Sequence, residues 1–254
     1  MSTEYIYSAA IAAIVKKNQA SVSLNHLDIG SGSGELIKKL QDVNPGITSA
    51  ACDYTDSLME LPNQQVDIVD LNVKRLPYHD EQFDLVTATE VIEHLENQRL
   101  FLRDINRVLK PGGICVLSTP NVLNLNSRLR YFWFGFPQLF GPLSIKGRKA
   151  EFCSGHISPI SFFYLHHALR ESHFSDIELY IDKYQRSGTA KLFLVYLPIK
   201  LNERHIKKKE ISKYKTIDDT NIQIVNKLNS LKILLGRTII LSAKKDTEIK
   251  IEEP

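Results

Sequence analysis

The segment from Leu24 to Leu40 constrains the fold more than any other part of the chain. An apolar run, Leu24 to Ile29, ends in Asp28-Ile29-Gly30, passes through Gly30-Ser31-Gly32-Ser33-Gly34 and enters the helical pattern Glu35-Leu36-Ile37-Lys38-Lys39-Leu40. This is strand, tight loop, helix. Further apolar runs follow at Thr48 to Cys52, which ends on Asp53, at Val66 to Asp70 and at Phe83 to Thr87, separated by polar or helical stretches. Alternation of that kind implies an α/β chain with a parallel sheet.

Downstream, Leu100, Phe101, Ile105, Val108 and Leu109 recur at helical spacing between Asn97 and Leu109, and Lys110-Pro111-Gly112-Gly113 is expected to stop that helix and turn the chain. Ile114 to Ser118 reads as the next strand. Pro159 to Ser172 reads as a helix capped by Ser158, Ile177 to Ile181 as a strand, and Thr238 to Ala243 as the strand that closes the sheet. Residues 121–155, rich in aromatics, Gly and Pro, and residues 191–235, with an apolar start and a basic middle, stand outside the alternation. Both are expected to be insertions that cover a site. The chain as a whole, 1–254, reads as a single domain with an N-terminal helical segment over 1–23 and a solvated tail from Asp246 to Pro254.

Hydrophobic residues make up 43% and charged residues 24%, which supports a sizeable buried core and argues against general disorder. The net charge of +3 is too small to argue for nucleic acid, although residues 200–215 hold seven Lys or Arg against two Glu. Cys52, Cys115 and Cys153 are odd in number and lack the short spacing of a zinc site, so they fit a reducing cytoplasm. Glu4 precedes the apolar run Tyr5 to Val15, and no basic start or cleavage site frames it, which favours an amphipathic helix over a signal peptide. No stretch approaches the length of a membrane span.

Glycines at a strand-to-helix junction let a ligand approach the backbone. Asp53, nineteen residues past Gly34, ends the following strand, where a carboxylate can accept from both hydroxyls of a ribose. A nicotinamide site would want G-x-G-x-x-G, whereas this loop runs G-x-G-x-G behind Asp28, an acid suited to a cationic ligand. The competing explanation is a glycine turn that serves strand–helix packing alone.

The motifs LDIGSGSG (Leu27 to Gly34), Asp53, DLNVKRLPYHDEQFDLV (Asp70 to Val86), TEVIEHL (Thr89 to Leu95) and LKPGG (Leu109 to Gly113) occur in that order. With them the chain resembles the class I S-adenosylmethionine-dependent methyltransferases, in the branch that includes ubiquinone-type and other small-molecule enzymes. The resemblance runs from about Leu24 to Leu179. It implies a Rossmann-like, seven-stranded, mostly parallel sheet with helices on both faces and the last strand antiparallel, and S-adenosyl-L-methionine as cofactor. It implies cofactor contacts from Asp28, Gly30, Gly32 and Gly34, from Asp53 and Tyr54, from Asp70, Leu71 and Asn72, and from Thr89 and Glu90. Many relatives carry Asp where this chain has Asn72, with its own Asp two residues earlier at Asp70, so both remain candidates to face the adenine.

Methyl transfer to a hydroxyl calls for a base at the carboxyl edge of the sheet. His94, after the fourth strand, and His156, before the helix that follows the fifth, are the two candidates; each could equally pack or fix a loop. His166, His167 and His173 have no carboxylate or cysteine at ligand spacing, so no metal is expected. The aromatics Tyr131, Phe132, Trp133, Phe134, Phe136 and Phe140 could form a lid over an apolar acceptor or pack a long loop. The run 192–209 could bring an apolar face and lysines to the inner face of a membrane.

Together these features favour a cytoplasmic enzyme that methylates an oxygen of a small molecule, sugar or lipid-linked glycan. A ubiquinone-like aromatic acceptor, an RNA methyltransferase and a non-catalytic cofactor-binding protein are the alternatives. RNA is disfavoured because the base-methylating Asn/Asp-Pro-Pro-aromatic motif is absent and Thr89-Glu90-Val91-Ile92 stands in its place.

Overall fold

A computed structural model describes residues 4–17, 23–143 and 155–247. Seven strands form one sheet: β1 Leu24–Ile29, β2 Ile47–Asp53, β3 Val66–Ile68, β4 Phe83–Thr89, β5 Leu109–Pro120, β6 Phe174–Ile181 and β7 Thr238–Lys245. Their order is β3-β2-β1-β4-β5-β7-β6. Pairs from β3 through β5 are parallel, and β7 runs antiparallel to both β5 and β6. Sheet and orientation follow the expectation, including the antiparallel last strand.

Each face is closed by the apolar stripe of amphipathic helices. On one side, α1 (Glu4–Lys17) and α2 (Glu35–Val43) set Tyr7, Ala10, Ile14, Leu36 and Leu40 against Leu85 and Val116 of the sheet. On the other, α3 (Gln98–Val108) and α5 (Phe162–Glu171) bury Phe101, Ile105, Phe162 and Leu165 over Val86 and Leu117. The central strands β1, β4 and β5 are buried on both faces, which is why they read as nearly continuous apolar runs.

Three expectations are corrected. The Lys110–Gly113 segment stops α3 but does not leave the sheet: β5 begins at Leu109, Phe83 pairs with Leu109 and Leu85 with Ile114, so four residues bulge opposite Asp84. Gly112, with φ of +75°, supplies the left-handed backbone this bulge needs. The cap of α5 is Ser161, not Ser158, because the Ser161 carbonyl accepts the first helical bond, from the Leu165 N–H at 2.9 Å, whereas the Ser158 carbonyl accepts from Gln98 Nε2 at 2.8 Å. The second excursion begins at 186 rather than 191, with α6 spanning Arg186–Lys209 through an internal Pro198.

After α6 a π-turn, Glu210–Tyr214, leads to α7 (Ile222–Lys227) and α8 (Leu231–Leu235). The first excursion holds α4, Leu125–Phe134, capped by Asn124, whose side chain accepts from the Ser127 N–H. Leu125 of α4, Leu192 of α6 and Leu234 and Leu235 of α8 pack together, so the two excursions share a small core beside the sheet. Cys153 and the tail beyond 247 lie outside the described residues. Among the described residues no helix is long and apolar enough to cross a membrane.

Candidate active site

A cleft of about 1030 Å³ opens at the carboxyl ends of β1, β2 and β4. Its walls include Gly30, Asp53, Tyr54, Asp70, Leu71, Asn72, Thr89 and Glu90, and also His94. These segments meet because in a parallel sheet every strand delivers its following loop to the same edge, and β1 lies between β2 and β4 at the point where the strand order reverses.

The glycine loop and Asp53 are one construction. The Gly32 N–H donates to Asp53 Oδ2 at 2.8 Å and the Tyr54 N–H to Oδ1 at 2.6 Å, so both carboxylate oxygens are held in place while keeping lone pairs for a ligand. Gly30 has φ of +69°, and a Cβ there would lie 2.4 Å from Val91 Cγ2. Gly32 has φ of +51°, and a Cβ there would meet nothing within 4 Å. Gly34, also left-handed, abuts Met59 and Leu61 and opens α2. Gly34 is therefore demanded by packing, and neither it nor Gly32 lines the cleft.

Asp28 lies behind the cleft wall rather than on it. Its Oδ1 accepts from the Thr87 hydroxyl at 2.6 Å, and burial pushes its pKa up to about 7, the Thr87 bond opposing this. Since Thr87 spends its proton on Asp28, His26 must donate from Nε2 to Thr87 Oγ1 (2.8 Å), and its Nδ1 accepts from Ser49 Oγ (3.0 Å). Burial lowers the His26 pKa to about 3, so the ring is neutral.

After β3, Asp70 caps its own turn by accepting from the Asn72 N–H at 2.9 Å. The Asn72 side chain accepts from the Glu96 N–H at 2.8 Å and donates to the His94 carbonyl at 3.4 Å. Asn72 thus ties the loop after β3 to the loop after β4. Sequence reasoning missed Thr55, Ser57, Leu58 and Val91 on the cleft walls; no pattern distinguishes such loop residues, and only the strand order brings them in.

Toward the other end of the cleft the loop after β4 turns sharply. Glu90 sits at φ of +57°, its N–H donating to Ser118 Oγ at 3.0 Å while that hydroxyl donates to Glu90 Oε1 at 3.2 Å. Burial raises the Glu90 pKa to about 7, the Ser118 bond opposing it. Glu93 is fully buried, its carboxylate oxygens have no hydrogen-bond partner, and burial, then the neighbouring Glu90 charge, push its pKa up to about 8.

The two histidines proposed from sequence are brought together. Their rings meet edge to face with centroids 5.0 Å apart, and His156 Nε2 lies 4.0 Å from Glu93 Oε1. His94 donates from Nδ1 to the Gly155 carbonyl at 3.1 Å, which leaves its Nε2 as an acceptor. Burial lowers the pKa of both rings, and the other ring's charge lowers that of His156 further, so both are neutral near pH 7. Phe140 is the insertion aromatic that reaches this end, stacking on His156 at 5.0 Å, whereas Tyr131 to Phe134 lie exposed on α4. His166 packs on Phe162, and His167 faces Glu171, both on α5.

S-adenosylmethionine, the cofactor that the sequence resemblance implies, fits these walls. The walls offer the backbone at Gly30, where no side chain stands, and a fixed carboxylate at Asp53, beside the apolar side chains of Leu58, Leu71 and Val91, and the adjoining Ser31 hydroxyl is buried without a protein partner.

Comparison with known proteins agrees. A methyltransferase-domain family matches residues 27–117. A Mycolicibacterium smegmatis protein named as an S-adenosylmethionine-dependent methyltransferase is 35% identical over 96 residues, 37% of each chain. The ubiquinone/menaquinone biosynthesis C-methyltransferase of Pseudomonas fluorescens is 28% identical over 130 residues, covering 46% of this chain and 51% of that one. The match thus spans between about a third and a half of these curated relatives. A crystal structure of a methyltransferase from Archaeoglobus fulgidus shares the fold with a TM-score of 0.54 at 18% identity, over 92% of this chain and 93% of that one. Over residues 27–117 the chain is thus similar to S-adenosylmethionine-dependent methyltransferases, and the strand order and the loop–Asp53 construction carry that similarity.

Proposed function

We propose that this protein transfers the methyl group of S-adenosylmethionine to an oxygen of a small-molecule, sugar or lipid-linked acceptor. The observation that carries the reading is the cluster of Glu93, His94 and His156, which meets the cleft through His94 and sets two neutral imidazoles beside a buried carboxyl group. Bound S-adenosylmethionine supplies an activated methyl carbon. The residues then have to hold, align and deprotonate.

Asp53 fixes the ribose end, and the loop Gly30–Gly34 admits the amino-acid part to the backbone. Leu71 and Asn72 flank the adenine, Asn72 holding its loop through His94 and Glu96. Asp28, from behind the wall, orders Thr87 and the base of the loop. The acceptor hydroxyl meets the cluster, where His94 Nε2, its tautomer set by the Gly155 carbonyl, takes the proton as the new bond forms. Burial keeps water from competing.

The likeness to a ubiquinone/menaquinone C-methyltransferase favours one second reading, an aromatic, quinone-like acceptor. A membrane-bound acceptor of either kind fits the exposed apolar surface of α4 and α6. Trp133 is 78% and Phe193 89% exposed, with Phe132, Leu194 and Leu197 also outward and Lys191 and Arg186 nearby in sequence.

The reading is tested by incubating the protein with radiolabelled S-adenosylmethionine and panels of sugars, lipid-linked glycans and hydroxylated or quinone aromatics. Label on an acceptor oxygen supports the first reading and label on a ring carbon the second. Failure of the folded protein to bind S-adenosylhomocysteine in a calorimeter defeats both.

A further inference from the structure

Three side chains with metal-ligating atoms converge beside the cleft. A carboxylate oxygen of Glu93 and one ring nitrogen each of His94 and His156 lie within 4.8 Å of one another. Small side-chain rotations close that spread to shared ligation at about 2.0–2.2 Å. A fourth group, Glu90, stands on the cleft wall three residues before Glu93 in sequence.

The surroundings are those of ligands rather than of packed side chains. Glu93 is fully buried and neither carboxylate oxygen has a partner at hydrogen-bonding distance, the Thr119 hydroxyl, also unpartnered, being the side-chain donor near enough to favour its charged form; proteins tolerate such an under-satisfied carboxylate when a cation or a catalytic role satisfies the group. Its backbone, by contrast, is tied down: the carbonyl accepts from the Ile157 and Ser158 N–H groups, both at 3.0 Å, which anchors the segment carrying His156 against the loop after β4. His94 gives its Nδ1–H to a backbone carbonyl, the outer-shell bond that orients a ligating imidazole and leaves Nε2 for the ion. The Phe140 ring meets that of His156 at an edge, with centroids 5.0 Å apart.

We propose that Glu93, His94 and His156, with Glu90 as a further oxygen donor, bind a divalent cation of the Mn²⁺ or Zn²⁺ type at the acceptor end of the cleft. Imidazole with carboxylate and no thiolate suits such ions. The expectation of no metal weighed only His166, His167 and His173. It missed this group because His156 is distant in sequence and joins Glu93 and His94 only through the fold.

A cation here adds a specificity to the proposed reaction, and this part of the inference rests on the methyl-transfer reading. An ion with open positions chelates an acceptor with two neighbouring oxygens and lowers the pKa of the hydroxyl to be methylated. The proton leaves to solvent water. The freed lone pair forms the new oxygen–carbon bond as the methyl's bond to sulfur breaks, its electron pair remaining on sulfur. The histidines then act as ligands, and the ion replaces His94 in loosening the proton.

The test uses the full chain, treated with chelator and dialysed, then titrated with Mn²⁺ and followed by the loss of the free-ion paramagnetic resonance signal. Zn²⁺ is titrated by calorimetry in parallel. One ion per chain is expected, with affinity falling at least tenfold in Glu93→Gln and in His156→Ala and unchanged in the exposed His167→Ala. Neither Glu93 nor His156 lines the cleft, so S-adenosylhomocysteine binding by these variants reports that they are folded. Wild-type protein that binds S-adenosylhomocysteine but takes up neither ion at millimolar concentration overturns the site, as does uptake that both variants retain. Ion uptake without any S-adenosylhomocysteine binding upholds the site and overturns the methyl-transfer reading instead. Turnover unmoved by chelation overturns the acceptor-chelation part.

Discussion

Asp53 does two things with one carboxylate. Both oxygens are aimed by backbone N–H groups, and in the proposed reading the same oxygens accept from the cofactor's ribose. Asp53→Ala removes charge-assisted hydrogen bonds of about 1.5–3 kcal/mol, so the Kd for S-adenosylhomocysteine is expected to rise about 10- to 100-fold by calorimetry. Unchanged affinity would take Asp53 out of the site. Gly30 has no such tolerance, because a methyl there strikes Val91 and φ is positive. Gly30→Ala should cost about 1–3 kcal/mol, read as a lower midpoint in urea. Asp28 sets a pH dependence. Its folded pKa of about 7 exceeds its ordinary 3.8 because burial disfavours the charge, so the folded state binds the extra proton. Asp28's contribution to stability is therefore fully present below about pH 4 and is lost as pH rises through 7. Relative to Asp28→Asn, the wild type should lose on the order of 2–4 kcal/mol between pH 4 and 8; parallel urea midpoints across that range would refute the assignment.

Among the elements, those legible in the sequence are the ones whose burial is simple. β1 is read to the residue, since Leu24, Leu27 and Ile29 lead straight into the glycine loop that ends the strand. The glycine loop and Asp53 are legible because local backbone demands and a strand end coincide in one short stretch. What the sequence hides is long-range: the Lys110–Gly113 bulge depends on the partner strand, the Ser161 cap on the bond from Gln98 that occupies the Ser158 carbonyl, and the walls at Thr55, Ser57 and Leu58 on the strand order. His94 and His156 could each be named, but nothing in their spacing says that they touch. α6 was half legible, because an apolar run beside lysines suits burial as well as exposure. The structure leaves Phe193, Leu194 and Leu197 outward. Replacing all three with Ser should leave thermal stability nearly unchanged, within about 0.5 kcal/mol per site, while abolishing sedimentation with anionic phospholipid vesicles. Equal sedimentation of variant and wild type would show that this surface serves something other than lipid.

At the scale of the whole molecule, the cofactor cleft joins three strands and their loops, so a ligand that fills it stabilises the sheet as a unit. S-adenosylhomocysteine at 100 times its Kd should add about 2.7 kcal/mol, raising Tm by about 5–11 °C; an unshifted melting curve at that concentration would mean that the cleft is not its site. The walls of that cleft all come from residues 30–95. The Glu93 carbonyl, in contrast, waits for the N–H groups of Ile157 and Ser158. In the proposed reading, a chain emerging from the ribosome completes the means of holding a methyl donor well before the place where an acceptor is presented, and the last assembled part is the one that decides what is methylated. Exchange of the segment around 121–160 among related chains is accordingly a route by which one donor-binding half could be matched to many acceptors.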